Sequence, residues 1–590
     1  MRHVSILNDQ QREAIRATEP IRVVSASPGT GKTATVAGLV KWWTGNGVSP
    51  SSILVVTFTR KAAGEMMERI ERLCGDRVAA DVTVSTLHSW AYSVMRAFPA
   101  SFGLSPGGVT IYDEEDMYDV CKELDELMRL KVGASGVVLM IERLKCMMPV
   151  GTEENKQRMI AEYERWCREC NAIDFSTMMR RFAEMLANPD HDVSQWSRNR
   201  WRHIIVDEAQ DMDTAQRNAV VAVADCMPCK GDRAAVFVGD EDQSIYMWRG
   251  TSPGLMTELA NEGALYRLER SYRCAGEIVK AAANLISWNW SAKRVITTEN
   301  KSDGKVDVVT CKDSIDESEN VVAWVRRRVM SCVAPESIAV IARTRARLAD
   351  IAAGLKKEGI PCTFVGQRAG LFRSEAGKRV LSTLRLAVNQ RDGLSFLRIR
   401  RFLRIGLEEF CQMRLEASAK GVSVFMLWSE KYRSADTELS TAAKPLNSTT
   451  EQVLTWAAAL FSDMQAYNII AAIKVMAKRN RLETPGDVLA WIERIEFADD
   501  DAEVEGVHVG TIHSVKGLEF DAVAVVGCEQ GHLPHKRAPN MQEERRLMFV
   551  AITRAREEVH ITHAETVYEG NEGVVRKPSQ FIDELRSCHE

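Results

Sequence analysis

The segment Ala26-Ser27-Pro28-Gly29-Thr30-Gly31-Lys32-Thr33 has the composition of a phosphate cradle. Backbone N–H groups in the Gly29–Gly31 turn can face a phosphate, and a helix beginning at Lys32 adds its dipole. Lys32 can reach β- and γ-phosphates, and Thr33 can hold Mg²⁺. Ala26 stands where the strict pattern has its first glycine. A second segment, Ile204 to Asp211, is an apolar run that ends in paired carboxylates. Asp207 suits Mg²⁺ coordination and Glu208 suits activation of an attacking water. A solvated acidic helix start would explain an Asp and a Glu, but not their coincidence with the upstream cradle. A third segment, Val238 to Gly250, offers Gln243 as a hydrogen-bonding sensor of a γ-phosphate. In the same loop Tyr246 and Trp248 are aromatics in polar surroundings, a platform on which bases could stack.

These segments need elements that bring them to one edge. The spacing predicts a helix over 8–17 capped by Asn8 or Asp9, a strand over 21–25, a helix over 32–43, a strand over 53–57 and a helix over 61–73. Strand signals resume at 204–207 and 235–240. Short β-rich runs alternating with helices mean βαβ units and a parallel sheet, where ligands sit beyond the carboxyl ends of the strands. A second region of the same kind starts near Val306, with strands at 306–310, 338–342, 362–365, 507–511, 522–526 and 559–562. Each region is interrupted by helical sequence, at about 99–185 and 373–502. The acidic run Asp499-Asp500-Asp501 with Glu503 and Glu505 reads as a linker. The expected fold class is α/β, two lobes that each carry a mostly helical insertion.

The chain has 590 residues, 45% hydrophobic and 27% charged, which rules out disordered, collagenous and coiled-coil classes. Its net charge is −4, from 77 Lys and Arg against 81 Asp and Glu. That balance speaks against coating nucleic acid with bulk positive charge, but leaves room for a local basic track. No apolar run approaches the roughly 20 residues of a membrane helix, and Met1 to Gln10 has no secretory signal. Fourteen cysteines are too sparse for a disulfide scaffold and point to a reducing, cytoplasmic setting. Two Cys-x-x-Cys pairs occur, Cys167/Cys170 and Cys226/Cys229. A shared zinc site would need all four thiolates together, so free thiols are expected.

The ordered series of motifs resembles the superfamily 1 helicases of the UvrD/Rep/PcrA type, over almost the whole chain. Leu7 to Gln11 is similar to the Q motif, with Gln11 in the adenine-reading place. Ala26 to Thr33 resembles motif I, Thr57 to Ala63 motif Ia, Ser85 to Ser89 the next DNA-contacting motif, Asp207 to Asp211 motif II and Gly239 to Gly250 motif III. The family usually has Asn where Arg60 stands, and commonly Asn at Ser271. Leu268 to Arg273 resembles motif IV, Gly510 to Phe520 motif V, and Glu543 to Ala555 motif VI. The resemblance implies two RecA-like P-loop NTPase lobes. It sets Pro28, Gly29, Thr30, Gly31, Lys32 and Thr33 around the triphosphate, Tyr272 against the adenine, Glu519 on the ribose, and Arg273 and Arg554 as arginine fingers. Lys32, Asp207, Glu208, Gln243, Arg273 and Arg554 are then the catalytic set, with Thr33 and Asp207 on the metal. It sets Phe58, Arg60, His88, Tyr246, Trp248, Thr511, His513 and Lys516 on the DNA. Thr-x-His-Ser recurs at Thr86–Ser89 and Thr511–Ser514, as one phosphate-contacting loop per lobe would require.

By resemblance the lobes are 1–98 with 186–272 and 273–372 with 503–590, and the insertions are subdomain 1B (99–185) and subdomain 2B (373–502). Arg398, Arg400, Arg401 and Arg404 form a candidate duplex-facing basic patch in 2B. This 2B looks shorter than in the best-known relatives, and the roughly 28 residues after motif VI leave no room for an appended nuclease domain. The implied activity is an ATP- and Mg²⁺-dependent 3′ to 5′ DNA helicase acting on single strands and single/double-strand junctions, cytoplasmic and nucleoid-associated. A translocase that strips proteins from DNA or serves a partner nuclease is the alternative. An ATP-gated DNA-binding module with degraded catalysis is a third, against which intact Lys32, Glu208, Arg273 and Arg554 count.

Overall fold

Apolar, β-branched runs such as Ile53–Thr57 are buried along their whole length, as strands of a parallel sheet covered on both faces must be. The computed structural model describes residues 7–105, 109–145, 154–224, 233–247, 250–251, 254–289, 296–365, 372, 374–432, 448–498, 506–538, 540–569 and 572–587. The chain forms two compact units: residues 1–87, 196–367 and 502–590 make one, and residues 88–195 and 368–501 the other.

The first unit holds two parallel sheets. In the first, β1 (Ile21–Ala26), β2 (Ile53–Thr57), β3 (Thr83–Thr86), β4 (His203–Val206), β5 (Ala234–Gly239) and β6 (Ala264–Leu268) lie in the order β3-β2-β4-β5-β1-β6. The second contains β7 (Lys305–Asp313), β8 (Ile338–Ala342), β9 (Cys362–Phe364), β10 (Val507–Thr511), β11 (Phe520–Val526) and β12 (Ala555–Glu569), ordered β7-β12-β11-β8-β10-β9. A hairpin strand, β13 (Glu572–Val575), runs antiparallel on β12. The expected strands therefore exist, most within a residue or a few at their ends; the one expected at 559–562 lies inside the longer β12. β4, β5 and β1 are neighbours, so the cradle after β1, the carboxylates after β4 and the loop after β5 come together. That adjacency pairs Ile21 of β1 with Ala235 of β5, far apart in sequence.

The opening helix, Asp9–Arg16, starts at Asn8 with a reciprocal capping box to Gln11. Asp207 is placed by β4, whose backbone pairs with β2 and β5. Ser271-Tyr272-Arg273 leaves the short strand Arg270–Ser271, which pairs with Thr297–Thr298.

The second unit is mostly helical, as expected of both interruptions, with one small sheet between Thr110–Tyr112 and Ala172–Asp174. Its helices include Glu114–Met128, Glu154–Glu169, Glu375–Val388 and Leu407–Lys420, and both interruptions contribute to a single apolar core. Ser374 caps the helix that opens the second interruption.

One expectation is overturned here. Arg398 has only 10% of its side chain exposed and bonds Asp116 at 2.7 Å and Asp119 at 2.6 Å, and Arg400 is buried against Glu123 at 2.9 Å. Arg398 and Arg400 are therefore not a surface patch: apolar packing of the two interruptions buries them, and buried guanidinium groups require carboxylate partners. Arg401 and Arg404 remain exposed. Cys167 and Cys170 are buried free thiols, pushed up by burial and so protonated at neutral pH. Cys226, Cys229, Trp248 and the acidic run at 499–505 lie outside the described residues. Among the described residues no group of His, Cys, Asp and Glu could by itself hold a metal, and no helix is long and apolar enough to cross a membrane.

Candidate functional site

The cradle turns twice through left-handed backbone. Gly29 has φ 74° and Gly31 φ 82°, a region that costs other residues about 1–2 kcal/mol. A side chain on either would also collide with its surroundings. A Cβ on Gly29 would stand 2.5 Å from Arg273 Cβ and 2.7 Å from Ser271 Oγ; on Gly31 it would stand 2.6 Å from Gln11 Nε2. The glycines thus let two other segments close on the turn. Tyr272 N–H donates to the Gly29 carbonyl at 2.8 Å. Gln11 Nε2 donates to the Thr30 carbonyl at 2.9 Å, while its Oε1 accepts from Asn8 N–H. Asn8, which has no place in the expected site, donates from Nδ2 to the Tyr272 hydroxyl at 2.9 Å. Tyr272 is otherwise exposed, 48%, leaving its ring available for stacking.

Lys32 begins the helix after the turn, and its Nζ lies 3.2 Å from Glu208 Oε1. Burial works against this ammonium, but Glu208, Asp240 and Asp207 outweigh it and hold the pKa above the usual lysine value. Asp207 is raised, by burial and then by the Glu208 carboxylate beside it. Burial would also raise Glu208, but Lys32 and Lys516 prevail and keep it ionised well below the ordinary carboxylate range. Glu208 occupies left-handed backbone, φ 55°, a strained conformation of the kind found where geometry serves function. A buried carboxylate with excess local negative charge can take a cation, and an ionised neighbour can accept a proton from water.

Gln243 bridges the two sheets. Its Nε2 donates to Asp240 Oδ2 at 2.7 Å, and its Oε1 accepts from Arg554 Nη2 at 3.0 Å. Arg554 is 2% exposed, and its Nε donates to the Val550 carbonyl. Burial, then the nearby Arg273, lowers it to about 10, so it stays charged at neutral pH. Arg273 pairs with Glu519 at 2.6 Å, and Glu519 is also held by Arg556 at 2.5 Å. Asp240, which acts electrostatically on Lys32 and accepts from Gln243, links Lys32, Glu208 and Asp207 to Gln243 and Arg554. Arg273 and Glu519 form a second group.

The residues expected on nucleic acid divide into three sets. Phe58 stacks on Tyr246 with centroids 5.4 Å apart and planes 19° apart, and Tyr246 faces His513 at 6.0 Å. These partly exposed rings come from the loops after β2, β5 and β10. Thr511 ends β10 and is partly exposed, and Arg60 opens the helix Arg60–Cys74 with an exposed side chain. His88 lies in the other unit, edge-on to Phe175 at 5.5 Å. Lys516 departs from the expected placement. Its ammonium bonds Asp211 Oδ1 at 2.7 Å, Asp211 Oδ2 at 2.5 Å and the Gln243 carbonyl at 2.7 Å. With three donors used inside the protein, Lys516 joins the two sheets; it sits 4.8 Å over the Tyr246 ring.

Gln210, Asp211, Asp240 and Asn8 are the members that motif reading left without a role. Each sits inside or beside a quoted motif, and a partner distant in sequence reveals it: Asp240 for Gln210, Lys516 for Asp211, Lys32 for Asp240 and Tyr272 for Asn8. Met247 N–H donates to Glu543 Oε1 at 2.9 Å, a further link between the sheets.

Residues 7–263 match the UvrD/REP helicase N-terminal domain, and residues 266–437 and 430–566 the UvrD-like helicase C-terminal domain. The DNA helicase II of Salmonella typhimurium is 28% identical across 98% of this chain and 87% of its own length. The DNA helicase II of Escherichia coli is 27% identical across 98% and 87%, and the ATP-dependent DNA helicase PcrA of Staphylococcus aureus 27% across 98% and 86%. The domain matches run through both α/β sheets and through the motifs that form the site, and the chain belongs to the UvrD/REP family of DNA helicases.

Proposed function

We propose that this helicase hydrolyses ATP to move 3′ to 5′ along single-stranded DNA and to separate strands at single/double-strand junctions. The observation that carries the proposal is the joining of a P-loop, a strained ionised Glu208 and Arg554 through Gln243 across two sheets. On this reading Pro28, Gly29, Thr30, Gly31, Lys32 and Thr33 surround the phosphates, and Tyr272, beside Gln11, stacks on the base. Glu519 exchanges its arginine partners for the ribose, freeing Arg273 to join Arg554 at the γ-phosphate. Glu208 takes the proton of the attacking water, and Gln243 reports the γ-phosphate to the DNA side. The lobes are 1–98 with 186–272 and 273–372 with 503–590; the insertions are 99–185 and 373–502.

A divalent cation fits the donor set. Asp207 is a buried carboxylate with a raised pKa beside a second carboxylate, a place short of positive charge. Asp207 and Thr33 would hold Mg²⁺, which when bound neutralises charge on the phosphates. Phe58, Tyr246, Trp248 and His513 form the sequence-tolerant stacking track, each stack worth about 1–3 kcal/mol. Arg60, His88 and Thr511 contact phosphate.

Arginines held on the far sheet act only when the cleft closes, which ties each hydrolysis to a change in sheet spacing and so to a step. The test is strand displacement on 3′-tailed, 5′-tailed and blunt duplexes with ATP hydrolysis followed in parallel. Unwinding confined to the 3′-tailed duplex is expected; unwinding confined to the 5′-tailed one overturns the polarity. Hydrolysis on single strands without displacement favours instead a translocase that clears proteins or serves a nuclease. Such a motor acts beside DNA repair or replication proteins.

A further inference from the structure

The side chain of Gln210 lies between the two halves of the site. It is 1% exposed. Its Nε2 donates to Glu208 Oε2 at 2.5 Å, and its Oε1 accepts from the backbone N–H of Asp240 at 2.9 Å. Its own carbonyl accepts from Ser244 Oγ at 3.3 Å. The amide can face only one way, because a carboxylate needs a donor and an N–H needs an acceptor. The end of β5 makes room for it. A Cβ on Gly239 would stand 2.3 Å from Gln210 Oε1. Lys32 holds the other oxygen of the same carboxylate, Glu208 Oε1. Glu208 is therefore gripped at both oxygens, by a cation on one side and by a neutral amide on the other. The amide is itself fixed to Asp240, whose side chain accepts from Gln243.

We propose that Gln210 is a positioning residue for hydrolysis: it fixes the rotamer of Glu208 and ties that carboxylate to the Asp240–Gln243–Arg554 chain. The proposal rests on the reading of Glu208 as the proton acceptor. Lys32 alone cannot supply this grip, because an ammonium that also meets phosphate must leave Glu208 free to turn. A neutral amide adds orientation without competing for phosphate. It also carries a displacement of Gln243, as Arg554 approaches or retreats, directly to the carboxylate.

The experiment compares kcat and KM for ATP on saturating single-stranded DNA for wild type, Gln210→Met, Gly239→Ala and Glu208→Gln. Gln210→Met keeps the volume and removes both hydrogen bonds. Gly239→Ala leaves Gln210 in place and pushes its amide off Glu208. Both are expected to lower kcat by about tenfold to a hundredfold, the effect of one charge-assisted hydrogen bond, with KM for ATP within twofold. In the Glu208→Gln background, Gln210→Met should cause no further loss. Wild-type kcat in both variants, with Glu208→Gln inactive, overturns the role of Gln210. A rise in KM parallel to the fall in kcat, or a fall in kcat that tracks a lowered melting temperature, reduces it to packing and also overturns the proposal. Sustained turnover by Glu208→Gln overturns the reading of Glu208 instead.

Discussion

Replacing Lys516 by Met removes an ammonium but keeps most of the aliphatic stem over Tyr246. The wild-type ammonium makes three contacts of 2.5–2.7 Å with Asp211 and the Gln243 carbonyl. Both partners of the ion pair are buried, with side chains 9% and 1% exposed. Removing one partner of such a pair costs about 3–5 kcal/mol when the other charge is stranded. Asp211 limits that cost by protonating. Burial has already raised it to about 6, against the pull of Lys516. A carboxyl raised in the folded state binds protons that the unfolded chain has released, so stability falls as pH rises from about 4 to 6. At about 1.4 kcal/mol per pH unit, wild type loses about 3 kcal/mol over that interval. Without Lys516 the carboxyl titrates higher still and the loss continues through neutrality. The deficit of the variant should be about 1 kcal/mol near pH 5.5, from lost hydrogen bonding, and about 3 kcal/mol by pH 8. Urea unfolding of both proteins at pH 5.5, 7 and 8.5 measures it. The salt dependence of single-stranded DNA affinity supplies a second readout, since each lost phosphate contact lowers the log–log slope by about 0.7. An unchanged slope is expected. A shallow, pH-independent deficit together with a slope reduced by about 0.7 would refute the latch and return Lys516 to the DNA.

Lys32→Ala should abolish DNA-stimulated ATP hydrolysis; near-normal turnover in a steady-state assay would remove Lys32 from the site. Gly29→Ala should reduce turnover about a hundredfold, because Arg273 must retreat by roughly 1 Å from the cradle. Gly47→Ala, with φ 91° but no atom within 4 Å of the added Cβ, is the control. It should lose about 1 kcal/mol of stability through backbone strain with turnover unchanged, and equal losses of turnover in the two variants would sink the clash argument. Arg398→Ala should destabilise the helical unit by about 3 kcal/mol, by stranding Asp116 and Asp119. Arg401→Ala, at an exposed position, should change it by under about 0.5 kcal/mol. Limited proteolysis or thermal melting separates these two, and equal effects would restore the surface-patch reading.

Much of the site was legible because its parts are local. A glycine turn before Lys32-Thr33 presents phosphate-binding N–H groups whatever the rest of the chain does, and the Asp207-Glu208 pair needs only the strand before it. The alternation of buried strands and helices follows from β-branched apolar runs between turns, and it specified two parallel sheets. Charge at a distance was not legible in the same way. Lys516, Arg398 and Arg400 read as cations for a nucleic acid, since a basic residue in isolation looks solvated. Folding brings Asp211, Asp116, Asp119 and Glu123 to them from 277 to 305 residues away and buries the pairs.

The sequence by itself determined the motifs, their order and the local turn chemistry, because these depend on neighbours a few residues apart. The tertiary structure alone decided that the two helical interruptions share one core. It alone decided that Gln210 meets Asp240, Asn8 holds Tyr272 and Gln243 meets Arg554. The physical reason is that a hydrogen bond or ion pair depends on ångström-scale placement of groups on different strands, and strand order sets that placement. β4, β5 and β1 lie side by side, a fact carried by backbone pairing and core packing rather than by any short run of residues.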